Sequence, residues 1–147
     1  DFEACQNCAR PAGFACQPED RNMLSYEVYK AVHIFGIALL LMAFGGVALH
    51  NLNGGNRESN KQRKRVAATH GVALFLILLG GFGMLARLGT PNAFAVPWVH
   101  PKLLIWLLMG AALVVLNRKP QLSGLLWWVL PMLAVTAGLI ALYKPFT

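Results

Sequence analysis

Four long apolar stretches, Ala31–Leu49, Val66–Leu88, Val96–Leu116 and Leu122–Tyr143, take up most of a 147-residue chain and leave almost nothing for a water-soluble core. A hydrocarbon layer about 30 Å thick is crossed by roughly 20 residues of helix, and each stretch is near that length. Lys, Arg, Asp and Glu together make up 13% of the residues, about half the usual share of a soluble domain. The pattern predicts an all-α integral membrane four-helix bundle. Its spans are expected over residues 29–52, 66–88, 97–117 and 122–143, forming a bundle at 26–147 behind an N-terminal segment at 1–25.

The basic residues orient the bundle, because Lys and Arg in short loops favour the cytoplasmic side. The loop Asn51–Arg65 carries Arg57, Lys61, Arg63, Lys64 and Arg65 against the single acid Glu58, and Asn117–Ser123 adds Arg118 and Lys119. Five of the six acids, Asp1, Glu3, Glu19, Asp20 and Glu27, precede the first span. Both termini are therefore expected outside a bacterial-type inner membrane and both basic loops inside. The net charge of +7 is mostly this topological signal. The run Lys61–Arg65 reads as a loop touching anionic lipid, and no nucleic-acid partner is expected.

Cys5, Cys8 and Cys16 lie in the segment expected outside, where disulfides persist. Pro11, Gly13 and Pro18 break any periodicity there, so the segment reads as an irregular external cap. The chain begins with Asp1, which fits a cleaved leader or a start that is not the first residue. Ala9 stands where the His of a c-type haem attachment site would follow Cys5-Gln-Asn-Cys8. A zinc knuckle would need a fourth ligand. One disulfide, such as Cys5 or Cys8 with Cys16, plus one spare thiol, is the plainer reading, and the pairing stays open.

Small residues mark where helices approach in lipid. The pairs Gly45-Gly46 and Gly80-Gly81 are expected to face each other in a hairpin of the first two spans. Gly110, Ala111 and Ala112 are expected to face Ala134, Ala137, Gly138 and Ala141. Pro131 is expected to kink the fourth span near Trp127–Trp128. Trp98, Trp106, Tyr26, Tyr29 and Tyr143 fit an aromatic belt.

Chemistry concentrates in the histidines, because ionisable groups inside a membrane are costly. His33 and His100 fall near the external face on the first and third spans, and His50 and His70 near the opposite face. Two neutral imidazoles at one depth on different helices can hold a haem iron. His33 and His100 are the stronger candidates for such metal ligation. His50 beside Asn51 reads first as a solvated interfacial residue and only secondarily as a cofactor contact, and His70 as either a ligand or a structural hydrogen-bonding group. Lys102 can snorkel to the headgroups or hold a carboxylate beside His100, and Arg87 can supply a second such contact.

Tyr29-Lys30-Ala31-Val32-His33-Ile34-Phe35-Gly36 resembles the opening of the HemJ-type protoporphyrinogen oxidases, small membrane proteins with an aromatic-Lys-Ala-x-His-Ile-x-Gly run. Trp98-Val99-His100-Pro101-Lys102-Leu103 is similar to their Trp-Leu-His-Ala-Lys-Leu, and Lys144-Pro145-Phe146 to their closing Lys-Pro-Phe. His50 falls near the place where their first span ends in Tyr-His. The resemblance runs over most of the chain after Tyr26 and implies a helical membrane protein carrying haem b. It places His33 and Lys102 as the residues that matter for oxidising protoporphyrinogen, with His100 beside them. Leu107-Leu108-Met109-Gly110 stands where the family has a further histidine, and the family's Asn-Glu-x-Pro element has no counterpart around Leu126–Pro131.

Two functional expectations follow. One is a non-catalytic accessory subunit embedded in a larger bioenergetic membrane assembly, its partners being lipid and other membrane subunits. The other is a haem-b-binding, HemJ-like oxidoreductase acting on protoporphyrinogen or passing electrons to quinone. The chain has no Gly-rich phosphate loop and no Ser-His-Asp pattern. Without Asp or Glu in the four stretches, a carrier built on carboxylate proton relays is not expected.

Overall fold

The computed structural model describes residues 23–89 and 96–143, and among them every regular element is helical. Helix α1 spans Met23–Leu52, α2 Arg63–Arg87, α3 Val99–Arg118 and α4 Ser123–Tyr143. A short 3-10 turn, Pro120–Leu122, carries α3 into α4. All four helices are long and apolar enough to cross a membrane, and a helix satisfies its own backbone there without water. Helices thus cover all four predicted spans, with α1 beginning at Met23. Cys5, Cys8, Cys16 and the rest of 1–22 lie outside the described residues, as do Lys144, Pro145 and Phe146.

The connection from α1 to α2 is organised by its own polar groups. Gly54 adopts a left-handed φ of 79°, a conformation that costs glycine nothing. The Asn56 side-chain oxygen then accepts the backbone N–H groups of Glu58 and Ser59 at 3.0 and 2.9 Å, closing the turn.

Close approach of α1 and α2 comes from glycines at one register. A Cβ added to Gly80 would stand 2.6 Å from His33 Cβ and 2.7 Å from the Tyr29 carbonyl oxygen. One added to Gly36 would stand 3.0 Å from the Ile77 backbone nitrogen, and Gly83 lies against the Tyr29 ring. His33 therefore faces Gly80, Gly36 faces Ile77, and Phe44 meets His70. In this register Gly45 and Gly80 are offset by about twelve residues, roughly 18 Å along the axis. The expected pairing of Gly45-Gly46 with Gly80-Gly81 does not occur, and a Cβ on Gly45 or Gly46 would meet nothing within 4 Å. Gly110 faces Leu74 of α2 instead of α4, and Gly138 is open.

The buried core joins Leu40, Phe44 and Val47 of α1 with Ala73 of α2, Met109, Leu113 and Leu116 of α3, and Leu130 of α4. Near the loop end, buried Asn51 donates from Nδ2 to the Leu116 carbonyl and to Ser123 Oγ, both at 2.9 Å. One amide thereby ties α1 to the end of α3 and the start of α4, a polar link of the kind that holds helices together in lipid. Helix α4 continues through Pro131 and is the barest element. Only 6% of its membrane window is buried, against 33% for α1.

Candidate functional site

His33 sits one face of α1 into the hairpin, over the glycine step of α2. Its Nδ1 lies 2.7 Å from the Ile77 carbonyl oxygen. A carbonyl only accepts, so Nδ1 carries the proton and donates, leaving the lone pair on Nε2. Gly81 leaves room for the ring, since a Cβ there would reach within 3.7 Å of it. A backbone-bonded imidazole with one open nitrogen is the arrangement that orients histidine ligands in metal proteins.

His100 repeats the pattern at the start of α3, where its Nδ1 donates to the Pro97 carbonyl at 3.3 Å and its ring is exposed. The register between α2 and α3 relates its depth to that of His33. His70 Nε2 lies 3.3 Å from the Gly110 carbonyl, and Trp106 Nε1 donates to the Leu74 carbonyl at 3.1 Å. These two links are antiparallel steps of four, and continuing six residues along α2 brings Gly80 to the level of His100. His33 also faces Gly80. By this register both imidazoles lie toward the same end of the bundle, on α1 and α3.

Lys102 Nζ lies 4.6 Å from the centre of the Trp98 ring, a cation–π arrangement. It is also within Coulombic reach of His33. Of the four residues expected to cluster, His33 and Lys102 lie within electrostatic range of each other. His100 and the exposed Arg87 share their end of the bundle without an ion pair or hydrogen bond to His33 among the described residues.

The other two histidines are engaged separately. His50 Nε2 lies 3.1 Å from the Asn56 carbonyl and 3.0 Å from Ser59 Oγ, so its ring closes the loop. His70 is buried, donates from Nε2 to Gly110, and meets Phe44 edge-on at 5.2 Å with an interplanar angle of 67°. Its Nδ1 has no hydrogen-bond partner. His70 faces Phe44, whereas His50 stands at the far end of α1, so the two share no level across the hairpin.

Sequence reasoning missed Asn51 and Ser123, which carry the strongest polar joint between helices, and placed Trp106 in an interfacial belt when its indole bonds α2. Their signals were faint: an amide at the last turn of an apolar run, and a lone hydroxyl before Gly124. Among the described residues no three His, Cys, Asp or Glu side chains gather to hold a metal ion. A porphyrin-bound iron asks for at most two.

The fold and this end of the bundle define a class: a four-helix protein whose helices are long and apolar enough to span a membrane, with a backbone-oriented histidine toward one end. Comparison with known family models, curated proteins and solved structures finds no match.

Proposed function

We propose that this chain is a multi-pass protein of a bacterial-type inner membrane that holds haem b near its external face. The observation that carries the reading is the 2.7 Å hydrogen bond from His33 Nδ1 to the Ile77 carbonyl, which leaves Nε2 as an oriented, neutral donor. The reading is supported by the shared pattern of His33 and His100, each of which commits Nδ1 to a backbone carbonyl and leaves Nε2 for a ligand. Haem supplies one-electron redox chemistry when bound. Within the chain, the Ile77 carbonyl holds the His33 ring in place. Lys102 offers an ammonium to a propionate or to a substrate carboxylate, and Arg87 a second cation at the same end. The basic loops on the opposite end support an orientation with both termini outside. The resemblance to HemJ-type enzymes supports electron removal from protoporphyrinogen, or electron transfer to quinone, as the activity.

The test is an absorption spectrum of the detergent-purified chain, oxidised and then reduced with dithionite. A Soret band that sharpens on reduction, with split visible bands, is expected in the wild-type protein and absent from His33→Ala that remains helical. Haem bound equally well by His33→Ala refutes the assignment of His33.

A second reading, a non-catalytic accessory subunit of a larger bioenergetic membrane assembly, is favoured by the bareness of α4. Trp128 is 72% exposed and Met132 65%, surfaces that lipid or a neighbouring subunit's helix would cover. A helical, folded preparation with a featureless visible spectrum selects this reading.

A further inference from the structure

At the end of the bundle opposite His33, the chain between α1 and α2 folds over the gap among α1, α2 and α3. Two adjoining cavities result. The larger, about 510 Å³, is lined by Arg57, Lys61, Arg63, Lys64 and Arg65, with Glu58 as its one acid. The smaller, about 180 Å³, has Val47, Val66 and Leu113 from three different helices among its lining residues, with Asn60 and Asn117 beside them. Arg57, Arg63 and Lys64 line both.

This combination selects a ligand. Among the described residues Glu58 makes no ion pair with these cations, so five positive charges face a single carboxylate around one concave space. Cations held together in that way are matched by phosphate, which guanidinium groups engage through paired hydrogen bonds. A free phosphate would have no use for the apolar lining. Val47 and Leu113 are buried in the core, whereas half-buried Val66 and exposed Ala67 give the cavity apolar surface at the start of a membrane-length helix, where the hydrocarbon of a lipid begins. Basic pockets between spanning helices are a recognised form of headgroup site.

We propose that these cavities form a specific site for one anionic glycerophospholipid, its phosphate held by Arg57, Arg63 and Lys64 and its first chain carbons against Val66 and Ala67. The site differs from the diffuse attraction any basic loop has for an anionic surface, because Arg118 and Lys119, at the same end of the bundle, line neither cavity.

The experiment is native mass spectrometry of the full chain in neutral detergent, titrated with dioleoyl phosphatidylglycerol or with dioleoyl phosphatidylcholine. One phosphatidylglycerol per chain is expected, with clear preference over phosphatidylcholine. Arg63→Gln/Lys64→Gln is expected to weaken it roughly thirtyfold, at about fivefold per cation. The charge-matched Arg118→Gln/Lys119→Gln should change it by less than about threefold, as screened charges outside the site do. Both pairs are exposed, and circular dichroism confirms that each variant stays helical. Equal weakening by the two variants overturns the site in favour of diffuse attraction. Equal binding of the two lipids overturns the phosphate specificity. Displacement of phosphatidylglycerol by an equal concentration of inorganic phosphate overturns the lipid assignment and leaves a free-phosphate site.

Discussion

Gly80→Ala tests whether the hairpin register positions His33. An alanine Cβ would stand 2.6 Å from His33 Cβ and 2.8 Å from His33 Cα, in contact with backbone that cannot swing aside. Non-bonded carbons settle at about 3.5–4.0 Å, so α1 and α2 must part by about 1 Å. The bond from His33 Nδ1 to the Ile77 carbonyl, now 2.7 Å, would then exceed the useful range. Overpacking of this kind costs about 1–3 kcal/mol, and the lost interhelical bond about 0.6–1.7 more. Replacing a helical glycine by alanine also returns up to about 1 kcal/mol. Gly45→Ala receives the same return and meets nothing within 4 Å, so the difference between the two variants isolates the contact. That difference should be about 2–4 kcal/mol. The assay is reversible unfolding in mixed micelles of increasing dodecyl sulfate, followed by circular dichroism. If the two variants unfold within about 0.5 kcal/mol of each other, the register and its role in holding His33 are wrong.

His70→Phe should leave stability within about 1 kcal/mol of wild type, because it exchanges one long hydrogen bond for the removal of an unpartnered buried nitrogen. In the haem-bound protein the same variant should keep its Soret band, and loss of the band would move the ligand to His70. Trp106→Phe should cost about 0.6–1 kcal/mol in the micelle assay, the worth of one link between α3 and α2. With haem bound, Lys102→Met should lower the reduction potential in a redox titration, since a nearby cation favours the reduced form. A potential that stays constant or rises would place Lys102 away from the group.

The four helices were legible because length and apolarity alone specify a span, without reference to any partner. Glycine contacts were less so: Gly45-Gly46 and Gly80-Gly81 look alike in sequence, and only the register of the hairpin decides that Gly80 meets His33 while Gly46 faces open space. His33 and Lys102 stood out as expensive residues in apolar surroundings. The group that orients His33, the Ile77 carbonyl, is backbone and leaves no mark in a sequence. Asn51 was hidden for a related reason, since its partners lie 65 and 72 residues away along the chain.

Asn51 also separates the two ends of the molecule. Its amide holds α3 and α4 at the loop end, eighteen residues from His33, about 27 Å along α1. Asn51→Leu removes two interhelical hydrogen bonds and should cost about 1–3 kcal/mol. Ser123 is fully buried, so part of that cost is a hydroxyl deprived of its donor, which Ser123→Ala removes. The double variant should therefore be more stable than the sum of the single losses implies, with a coupling of about 0.6–1.7 kcal/mol between the two positions. Additive losses would show that the amide and hydroxyl do not act as one joint. The α1–α2 hairpin is closed independently by Gly36, Gly80 and Gly83, so Asn51→Leu should leave the His33 environment intact. A haem spectrum lost in Asn51→Leu but restored by the double variant would instead mean that the two ends fold as a single unit, with the docking of α4 controlling the chemistry at the far face.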